Sequence, residues 1–341
     1  MKEIDVVAPN LKRRLSGVTA TVMRLVPLMA GEMDVVATGP GLPPHVPHIS
    51  LFHAATMPRD RWRVWHARRN TEMLFGLVLR VIFRRKYRLV FTSASQRRHT
   101  GYTRWLISRM DAVIATSGKS AGYLECPSTV IFHGIDTDVF RPSTDRADIR
   151  KRLALPEGIL VGCFGRIRSQ KGTDVFLEAM FPVLKRRADV HAIILGRTVE
   201  RHLSFLALLK QRARDEGVSD QVMFLPEVPS HKIADWYPAL DLYVAPQRWE
   251  GFGLTPLEAM ACGVPVVATT VGVFPELLST GVGRLVPPGE VAPMAVAIGE
   301  MVEGTAMRAV LSETARRHVE DRFGIHREAR AIMKIYRELL D

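Results

Sequence analysis

One segment in the second half of the chain combines glycines with two cations. Residues 164–174 read FGRIRSQKGTD and include Arg166 and Lys171. Glycines allow a ligand to approach the backbone closely, and Arg and Lys both bind phosphate oxygens. The spacing is not that of a Walker A loop, and an ordinary basic surface turn is the alternative interpretation. These residue types indicate a site that can hold a diphosphate.

A second segment, residues 250–260, reads EGFGLTPLEAM and places Glu250 and Glu258 around a glycine turn. Pro256 suits the first turn of a helix, and amides at the start of a helix bind anions because they lie at the positive end of its dipole. The amides in question belong to Gly253, Leu254 and Thr255. Taken alone, Glu258 fits equally well as a first-turn residue that stabilises the helix. The segment predicts a phosphate site with a carboxylate on either side.

Both segments directly follow short apolar runs, and such runs alternate with helix-period stretches along the chain. Continuous apolar runs predict strands that are covered on both faces of a parallel sheet. The predicted strands are 4–8, 35–38, 89–92, 113–116, 130–132, 159–164, 190–195, 222–225, 242–244 and 264–268. The alternation predicts an α/β doubly wound fold, in which the loops that follow strands share the ligand-binding edge.

The length of 341 residues favours two domains. A stretch rich in proline and polar residues at 141–158 separates two sets of predicted strands. We therefore place the domains at residues 1–143 and 144–323. Residues 324–341 follow them as an amphipathic terminal helix.

The net charge of +12 is concentrated in the first half, where residues 1–150 carry +11. This distribution indicates an anionic partner for that half, and nucleic acid, a membrane surface and a phosphorylated acceptor all fit. The three cysteines are far apart and form no CxxC pair, which excludes a zinc ribbon and is typical of a reducing compartment. The longest apolar run is about half of the roughly 20 residues that cross a bilayer. We therefore expect a cytoplasmic protein.

Taken together, these motifs resemble the retaining family 4 glycosyltransferases of GT-B fold. Glu250 and Glu258 have the E-x7-E spacing of that family, and the similarity continues through EAMACGVPVVA at 258–268 and HGID at 133–136. The resemblance implies two Rossmann-like domains that face an interdomain cleft. The first would bind the acceptor, the second would bind a nucleotide-sugar, and the terminal helix would pack back on the first.

The resemblance also implies a role for each site residue. Arg166 and Lys171 would hold the donor diphosphate, together with the three amides named above. Glu258 would bind the ribose hydroxyls, and Glu250 would face the transferred sugar close to the reacting carbon. Val228 would lie against the base.

Two residues of the first domain are assigned in the same way. Gly17 matches the family's glycine loop, which approaches the donor phosphates. The family also has a histidine after a first-domain strand that contacts the donor sugar, and His99 is the candidate here. It lies further from its predicted strand than the simplest pattern would place it, and His53 and His66 are weaker alternatives. An isolated histidine is more often structural than catalytic.

Asp136 and Asp138 have the DxD spacing of a metal motif found in the other main glycosyltransferase fold. Here they lie inside the HGID signature and its continuation, directly before the predicted linker. We therefore expect both aspartates to be structural. We also expect no metal or other cofactor to be required, since Arg166 and Lys171 can neutralise the diphosphate.

Residues 59–104 are rich in arginine and contain aromatic residues, which is typical of proteins that bind an anionic membrane surface. Nucleic acid would also bind such a stretch, but no nucleic-acid-binding motif accompanies it. A solvated basic face is the plain alternative.

Two strings in this stretch, WHARRNTEM at 65–73 and QRRHT at 96–100, resemble bacterial lipopolysaccharide core mannosyltransferases. That resemblance implies GDP-mannose as donor, an anionic lipid-linked inner-core acceptor, and action at the cytoplasmic face of the inner membrane. Two alternatives stay open. One is a UDP-sugar-dependent hexosyltransferase acting on another envelope glycan or glycolipid. The other is an anion- or nucleic-acid-binding protein, which the paired carboxylates disfavour because they would repel a polyanion.

Overall fold

The computed structural model of the protein describes residues 3–12, 17–229, 231–278 and 281–341. The chain forms two compact units. The first contains Met1–Gly134 and Ile325–Asp341, and the second contains Ile135–Gly324. Each unit is built around a parallel sheet with helices between the strands.

In its described residues the first unit has a seven-stranded sheet. Its strands are β1 (Val6–Pro9), β2 (Val35–Thr38), β3 (His48–Ile49), β4 (Arg63–Ala67), β5 (Tyr87–Ser93), β6 (Ala112–Ala115) and β7 (Thr129–Val130). The helices among them are α1 (Gly17–Met29), α2 (Leu51–Thr56), α3 (Asn70–Val81), α4 (Gly101–Ile107) and α5 (Gly118–Ala121). The spatial order β3-β2-β1-β4-β5-β6-β7 reverses direction between β1 and β4. Ligands bind at such a switch point, beyond the carboxyl ends of the strands.

Strand β4 is not predicted by the sequence, although it pairs with both β1 and β5 in the middle of the sheet. Arg63 and His66 interrupt its apolar pattern, yet every residue of the strand is buried. Arg63 is accommodated because it donates to the Pro58 carbonyl at 2.8 Å and pairs with Asp60 at 3.0 Å. Trp65, one of the aromatic residues of the 59–104 stretch, is fully buried in this strand and therefore cannot contribute to a membrane-binding surface.

The second unit has a six-stranded sheet in the part of the chain that is described. Its strands are β8 (Ile159–Phe164), β9 (Val190–Leu195), β10 (Val222–Leu225), β11 (Leu242–Ala245), β12 (Val266–Thr269) and β13 (Gly283–Val286). Its helices are α6 (Arg146–Arg152), α7 (Thr173–Arg186), α8 (Leu203–Asp215), α9 (Thr255–Ala261), α10 (Phe274–Leu277), α11 (Val291–Glu303) and α12 (Thr305–Phe323). The order β10-β9-β8-β11-β12-β13 reverses between β8 and β11, so the two predicted binding segments follow the two switch-point strands.

The apolar runs of the second unit are strands, as predicted, and β8, β9 and β10 have the predicted bounds. Their alternate residues pack on both faces of the sheet, and helices α7 and α11 supply a large part of one core. Strand β13 is not predicted because Gly283 and Arg284 make up half of its four residues.

The division between the units falls earlier in the chain than the predicted boundary after residue 143. Residues that follow Gly134 are held by the second unit. The Ile135 amide donates to the Phe323 carbonyl at 2.7 Å, and Arg316 donates to the carbonyls of Thr137 and Phe140 at 3.2 and 2.8 Å. The proline-rich stretch therefore lies within the second unit instead of between the two.

The terminal helix α13 (Ile325–Leu340) belongs to the first unit. Its buried face, which includes Ile332, Met333 and Tyr336, packs in the same core as Val6 and Val64 of β1 and β4. Glu328 fixes this helix to the end of the first unit, where its carboxylate accepts from the Gly134 amide at 2.7 Å and contacts His133 Nδ1 at 2.8 Å.

Within the described residues, no helix is both long and apolar enough to cross a bilayer.

Candidate active site

The loop after β8 is bent by glycines that make close backbone contacts. Gly165 has a φ of +133°, and its amide donates to the Leu195 carbonyl at 2.9 Å. Gly172 has a φ of +70°, and a Cβ at this position would lie 1.8 Å from the Pro246 carbonyl oxygen. Only glycine fits there, because the loop touches the backbone directly after β11.

Arg248 ties the loop after β11 to the loop after β8. Its amide donates to the Gln170 carbonyl at 3.1 Å, and its guanidinium donates to the Ser169 carbonyl at 2.6 Å. The guanidinium also forms a two-point ion pair with Asp174 at 2.7 and 2.8 Å, and this hydrogen bonding raises the pKa of Arg248. This role is not apparent from the sequence, where the one relevant signal is the position of Arg248 just after a predicted strand.

Lys171 and Glu250 come from different segments and form an ion pair in the structure. Lys171 Nζ donates to Glu250 Oε2, while the Gly251 amide donates to Oε1 at 3.2 Å. The two side chains are only 21% and 17% exposed, so little solvent screens the pair. A cation suited to a phosphate and a carboxylate suited to a sugar hydroxyl thus lie side by side at the switch point.

The β8 loop carries two further arginines, and one of them, Arg168, interacts electrostatically with Glu250. Arg166 is exposed, and Arg168 is partly buried. Burial lowers the pKa of Arg168, and the neighbouring Arg166 lowers it further, whereas Glu250 raises it. Arg168 Nε is buried with no hydrogen-bond partner among the described residues. Arg168 therefore adds a third cation to Arg166 and Lys171; it lies within the same sequence segment but was not predicted as a site residue.

Gly253 brings the turn before α9 close to Glu250. It has a φ of +79°, and a Cβ there would lie 2.7 Å from Glu250 Cγ and 2.6 Å from a ring carbon of Phe274. Leu254 is the N-cap of α9 and makes no side-chain capping bond. Its apolar side chain cannot accept hydrogen bonds from the amides that begin the helix. A bound anion can accept those hydrogen bonds instead.

Glu258 lies in the first turn of α9, where the Tyr237 hydroxyl donates to its Oε2 at 2.5 Å. Tyr237 is fully buried among aromatic rings that include Phe164 and Tyr243. Burial, and then the Glu258 charge, raise the pKa of Tyr237 well above its usual value, so it stays a hydrogen-bond donor. Tyr237 therefore orients Glu258, the residue predicted to bind the ribose. No sequence motif connects Tyr237 with Glu258.

Val228 is half-buried in the loop after β10, the outermost strand on its side of the sheet. This loop and the two binding segments leave the same edge of the sheet, because all strands are parallel. Its contact with the base stays a prediction.

In the first unit Gly17 is the first residue of α1, and a Cβ there would meet nothing within 4 Å. The residue before it lies outside the described residues. A buried polar network holds the start of α1 against α3. Arg69 donates to Asn10 at 3.0 Å and to Glu72 at 2.7 Å, and Thr19 donates to Asn10 at 3.1 Å. This network holds Asn10, which directly follows β1, against the first turns of α1 and α3 at the β1–β4 switch point.

The predicted histidine His99 is half-buried, with Nε2 3.4 Å from Ser93 Oγ at the end of β5. Burial and the nearby Arg97 lower the pKa of His99, which favours a neutral ring. His66, a weaker alternative, is instead a core residue. Its ring nitrogens lie 2.5 Å from the Tyr336 hydroxyl and 2.6 Å from Thr92 Oγ1, and it has no exposed surface.

Asp136 stabilises a turn, in keeping with the structural role predicted for it. Its Oδ1 accepts from the Asp138 and Val139 amides at 3.0 and 3.1 Å. No cluster of three or more His, Cys, Asp or Glu residues is placed to hold a metal ion in the described ranges.

Comparison with known proteins assigns the class. The family model described as "Glycosyl transferases group 1" matches residues 145–318, slightly more than half of the chain. The chain belongs to the group 1 glycosyl transferases, and it is a glycosyltransferase.

Among curated relatives, the chain is similar along its whole length to two proteins of rhizobia. It is 48% identical to the lipopolysaccharide core biosynthesis mannosyltransferase LpsB of Rhizobium meliloti (strain 1021), covering 100% of this chain and 99% of the relative. It is 46% identical to the lipopolysaccharide core biosynthesis mannosyltransferase LpcC of Rhizobium leguminosarum bv. viciae, covering 100% and 98%.

Solved structures with low identity share the fold. HepE of Anabaena in complex with UDP superposes with a TM-score of 0.85 at 21% identity, covering 98% of this chain and 100% of that chain. WaaG, a glycosyltransferase involved in lipopolysaccharide biosynthesis, gives a TM-score of 0.70 at 16% identity, covering 97% and 99%. The two Rossmann-like units and these likenesses confirm the predicted GT-B fold class.

Proposed function

We propose that the protein transfers mannose from GDP-mannose to an anionic, lipid-linked acceptor of the lipopolysaccharide inner core, with retention at the anomeric carbon. Full-length similarity to two relatives named as lipopolysaccharide core mannosyltransferases supports this choice of sugar and acceptor. The observation that carries the proposal is the Lys171–Glu250 pair at the switch point of the second unit. It supplies a cation for the leaving diphosphate beside a carboxylate for the sugar.

On this proposal the donor exchanges partners within the site. The diphosphate replaces Glu250 as the partner of Lys171, and Arg166 and the amides that begin α9 bind the remaining phosphate oxygens. Glu250 is then available to the sugar hydroxyls. Glu258, oriented by Tyr237, binds the ribose, and Val228 contacts the base. Gly17 and His99 keep the roles that the family resemblance implies.

The reaction is a same-face substitution through an oxocarbenium-like state. The bond between the anomeric carbon and the diphosphate oxygen breaks while the acceptor oxygen attacks from the same side. The acceptor's proton passes to the leaving diphosphate oxygen. Lys171, Arg166 and the α9 amides stabilise the negative charge that develops on that group, so the proposal requires no metal.

The proposal includes contact between the first unit and the cytoplasmic face of the inner membrane. At the end of α3, Val81 and the next two residues, Ile82 and Phe83, are 67%, 69% and 46% exposed. The exposed Arg84 and Lys86 follow them directly. Apolar side chains next to basic ones are typical of surfaces that insert shallowly into anionic membranes.

The proposed activity is tested by incubating the purified protein with radiolabelled GDP-mannose and a lipopolysaccharide inner-core glycolipid. We expect an α-mannosylated product, with the linkage assigned by NMR, and no transfer from UDP-glucose or UDP-galactose. Addition of a chelator leaves the rate unchanged if no metal is required. Transfer from a UDP-sugar but not from GDP-mannose would contradict the proposed donor. A β-linked mannose would contradict retention at the anomeric carbon.

A further inference from the structure

A pocket of about 470 Å³ opens in the first unit where β4 and β5 end. Its polar lining includes Arg68, Asn70, Ser93, Arg97, Arg98 and His99. None of the described lining residues is acidic, so three guanidinium groups give the pocket a positive potential.

Arg68 is the buried cation of this pocket, and only 9% of the residue is exposed to solvent. Its amide donates to Glu72 at 2.8 Å, and Nη1 donates to the His66 carbonyl at 3.3 Å. Nη2 is buried and has no hydrogen-bond partner within the described chain. The Tyr336 hydroxyl, which is hydrogen-bonded to His66, also interacts with the Arg68 side chain and leaves Nη2 itself without a bond of normal geometry. A buried donor without a partner is rare in folded proteins, and a ligand that supplies an acceptor removes its cost.

The wall around Arg68 is held in place by its own hydrogen bonds. Asn70 donates to Thr103 Oγ1 at 2.8 Å, and the Thr103 amide donates to Thr100 Oγ1 at 3.3 Å at the start of α4. These contacts join the starts of α3 and α4 across the pocket. The pocket is therefore built on the ends of regular elements, and the exposed Arg97 and Arg98 add charge at its mouth.

We propose that this pocket binds an oxyanion carried by the sugar acceptor, either a carboxylate or a phosphate. The planar guanidinium fork of Arg68 matches both groups, and Arg97 and Arg98 neutralise the remaining charge. The inference rests on the proposed function, since it assumes an anionic acceptor, and it deepens that function by naming the group that is recognised and the residues that recognise it.

The test is calorimetric titration of the full chain with glucose 6-phosphate, glucuronate and glucose. The wild-type protein, the double variant Arg97→Gln/Arg98→Gln and the control Arg327→Gln/Arg330→Gln are compared. The control removes the same charge from exposed positions on α13 that do not line the pocket. GDP is titrated into all three proteins as a measure of the donor site.

We expect the wild type to bind at least one of the two anionic sugars and to bind glucose far more weakly. The pocket variant should lose about tenfold in affinity, the scale of hydrogen bonds to charged groups, while the control keeps wild-type affinity. A response to one anionic sugar only identifies the oxyanion. Equal binding by the pocket variant, or no binding of either anionic sugar to the wild type, would overturn the inference. Failure of the wild type to bind GDP would instead count against the proposed function, so the two failures are distinguishable.

Discussion

Lys171 and Glu250 lie 79 positions apart in the chain and form an ion pair at the switch point of the second sheet. The pair is possible because Gly172 lets the β8 loop touch the backbone after β11, and because Arg248 binds both loops together. A partly buried lysine is less costly when a neighbouring carboxylate neutralises it than when it is unpaired. A diphosphate that displaces the carboxylate would gain the cation and release Glu250 in the same step.

Removal of this cation should affect the chemical step. We expect Lys171→Ala to lower turnover by about a hundredfold, the usual scale for one preorganised charge contact at a leaving group. Lys151→Ala is the matched control, since Lys151 is an exposed lysine on α6 of the same unit. Steady-state mannose transfer measures both variants. Turnover close to that of the wild type in Lys171→Ala would remove Lys171 from the site.

The Tyr237 hydroxyl should contribute to donor binding through Glu258. Tyr237→Phe keeps the buried ring but deletes the hydrogen bond to Oε2. We expect the donor KM to rise about tenfold with kcat little changed, because ribose binding is equal in the ground and transition states. Tyr87→Phe is a control, since it deletes an equally buried hydroxyl that donates to the Ala54 carbonyl in the first unit. An unchanged KM in Tyr237→Phe would show that Tyr237 does not act through Glu258.

His66 should make stability depend on pH. Burial, and then the Arg68 charge, hold the pKa of His66 well below its usual value of 6.5. Below about pH 6.5 the unfolded chain binds a proton here that the folded chain does not bind, so stability is lost as the pH falls. The contribution of this residue is at most about 1.4 kcal/mol per pH unit.

This dependence can be measured by urea unfolding at about pH 7.5 and about pH 5.5, which span the usual histidine pKa. The wild type and the exposed-site variant His45→Gln should lose similar amounts of unfolding free energy. His66→Gln should lose less between the two pH values, whatever its absolute stability. The same loss in all three proteins would mean that His66 is not held neutral.

The apolar residues beyond α3 should mediate binding to anionic vesicles. We expect Ile82→Ser/Phe83→Ser to weaken partitioning onto phosphatidylglycerol vesicles about tenfold, since each side chain loses part of its buried area in the membrane. Val310→Ser, at a position that is 65% exposed in the second unit, serves as the control. Co-sedimentation with the vesicles at low and high salt separates the apolar from the electrostatic contribution to binding. Equal binding by the patch variant and the control would contradict the membrane surface.

The sequence predicted the second unit more completely than the first, for a physical reason. Strands β8, β9 and β10 are continuous apolar runs. Such runs are typical of parallel strands that are buried on both faces, so their sequence alone predicts them. Strand β4 escaped prediction because Arg63 and His66 interrupt its apolar pattern, and His66 is buried by virtue of a partner, Tyr336, that lies 270 positions away in the chain. Such tertiary compensation cannot be read from local periodicity.

The candidate site shows the same limit. Lys171, Glu250 and Glu258 were predicted from residue type and spacing, and the structure brings the first two together. Arg248 and Tyr237 were missed because their roles depend on where two loops meet and on which ring lies below α9. Sequence motifs identify the groups that carry charge, whereas the residues that orient them follow from packing.

The most direct test of the account is calorimetric titration of the wild-type protein with GDP and, under the same conditions, with UDP. The proposed donor requires tight GDP binding and much weaker UDP binding, and Lys171→Ala should weaken the binding of GDP. Tight binding of UDP with weak binding of GDP would contradict GDP-mannose as the donor while leaving the site in place. Binding of neither nucleotide would contradict the assignment of the Lys171–Glu250 region as the donor site.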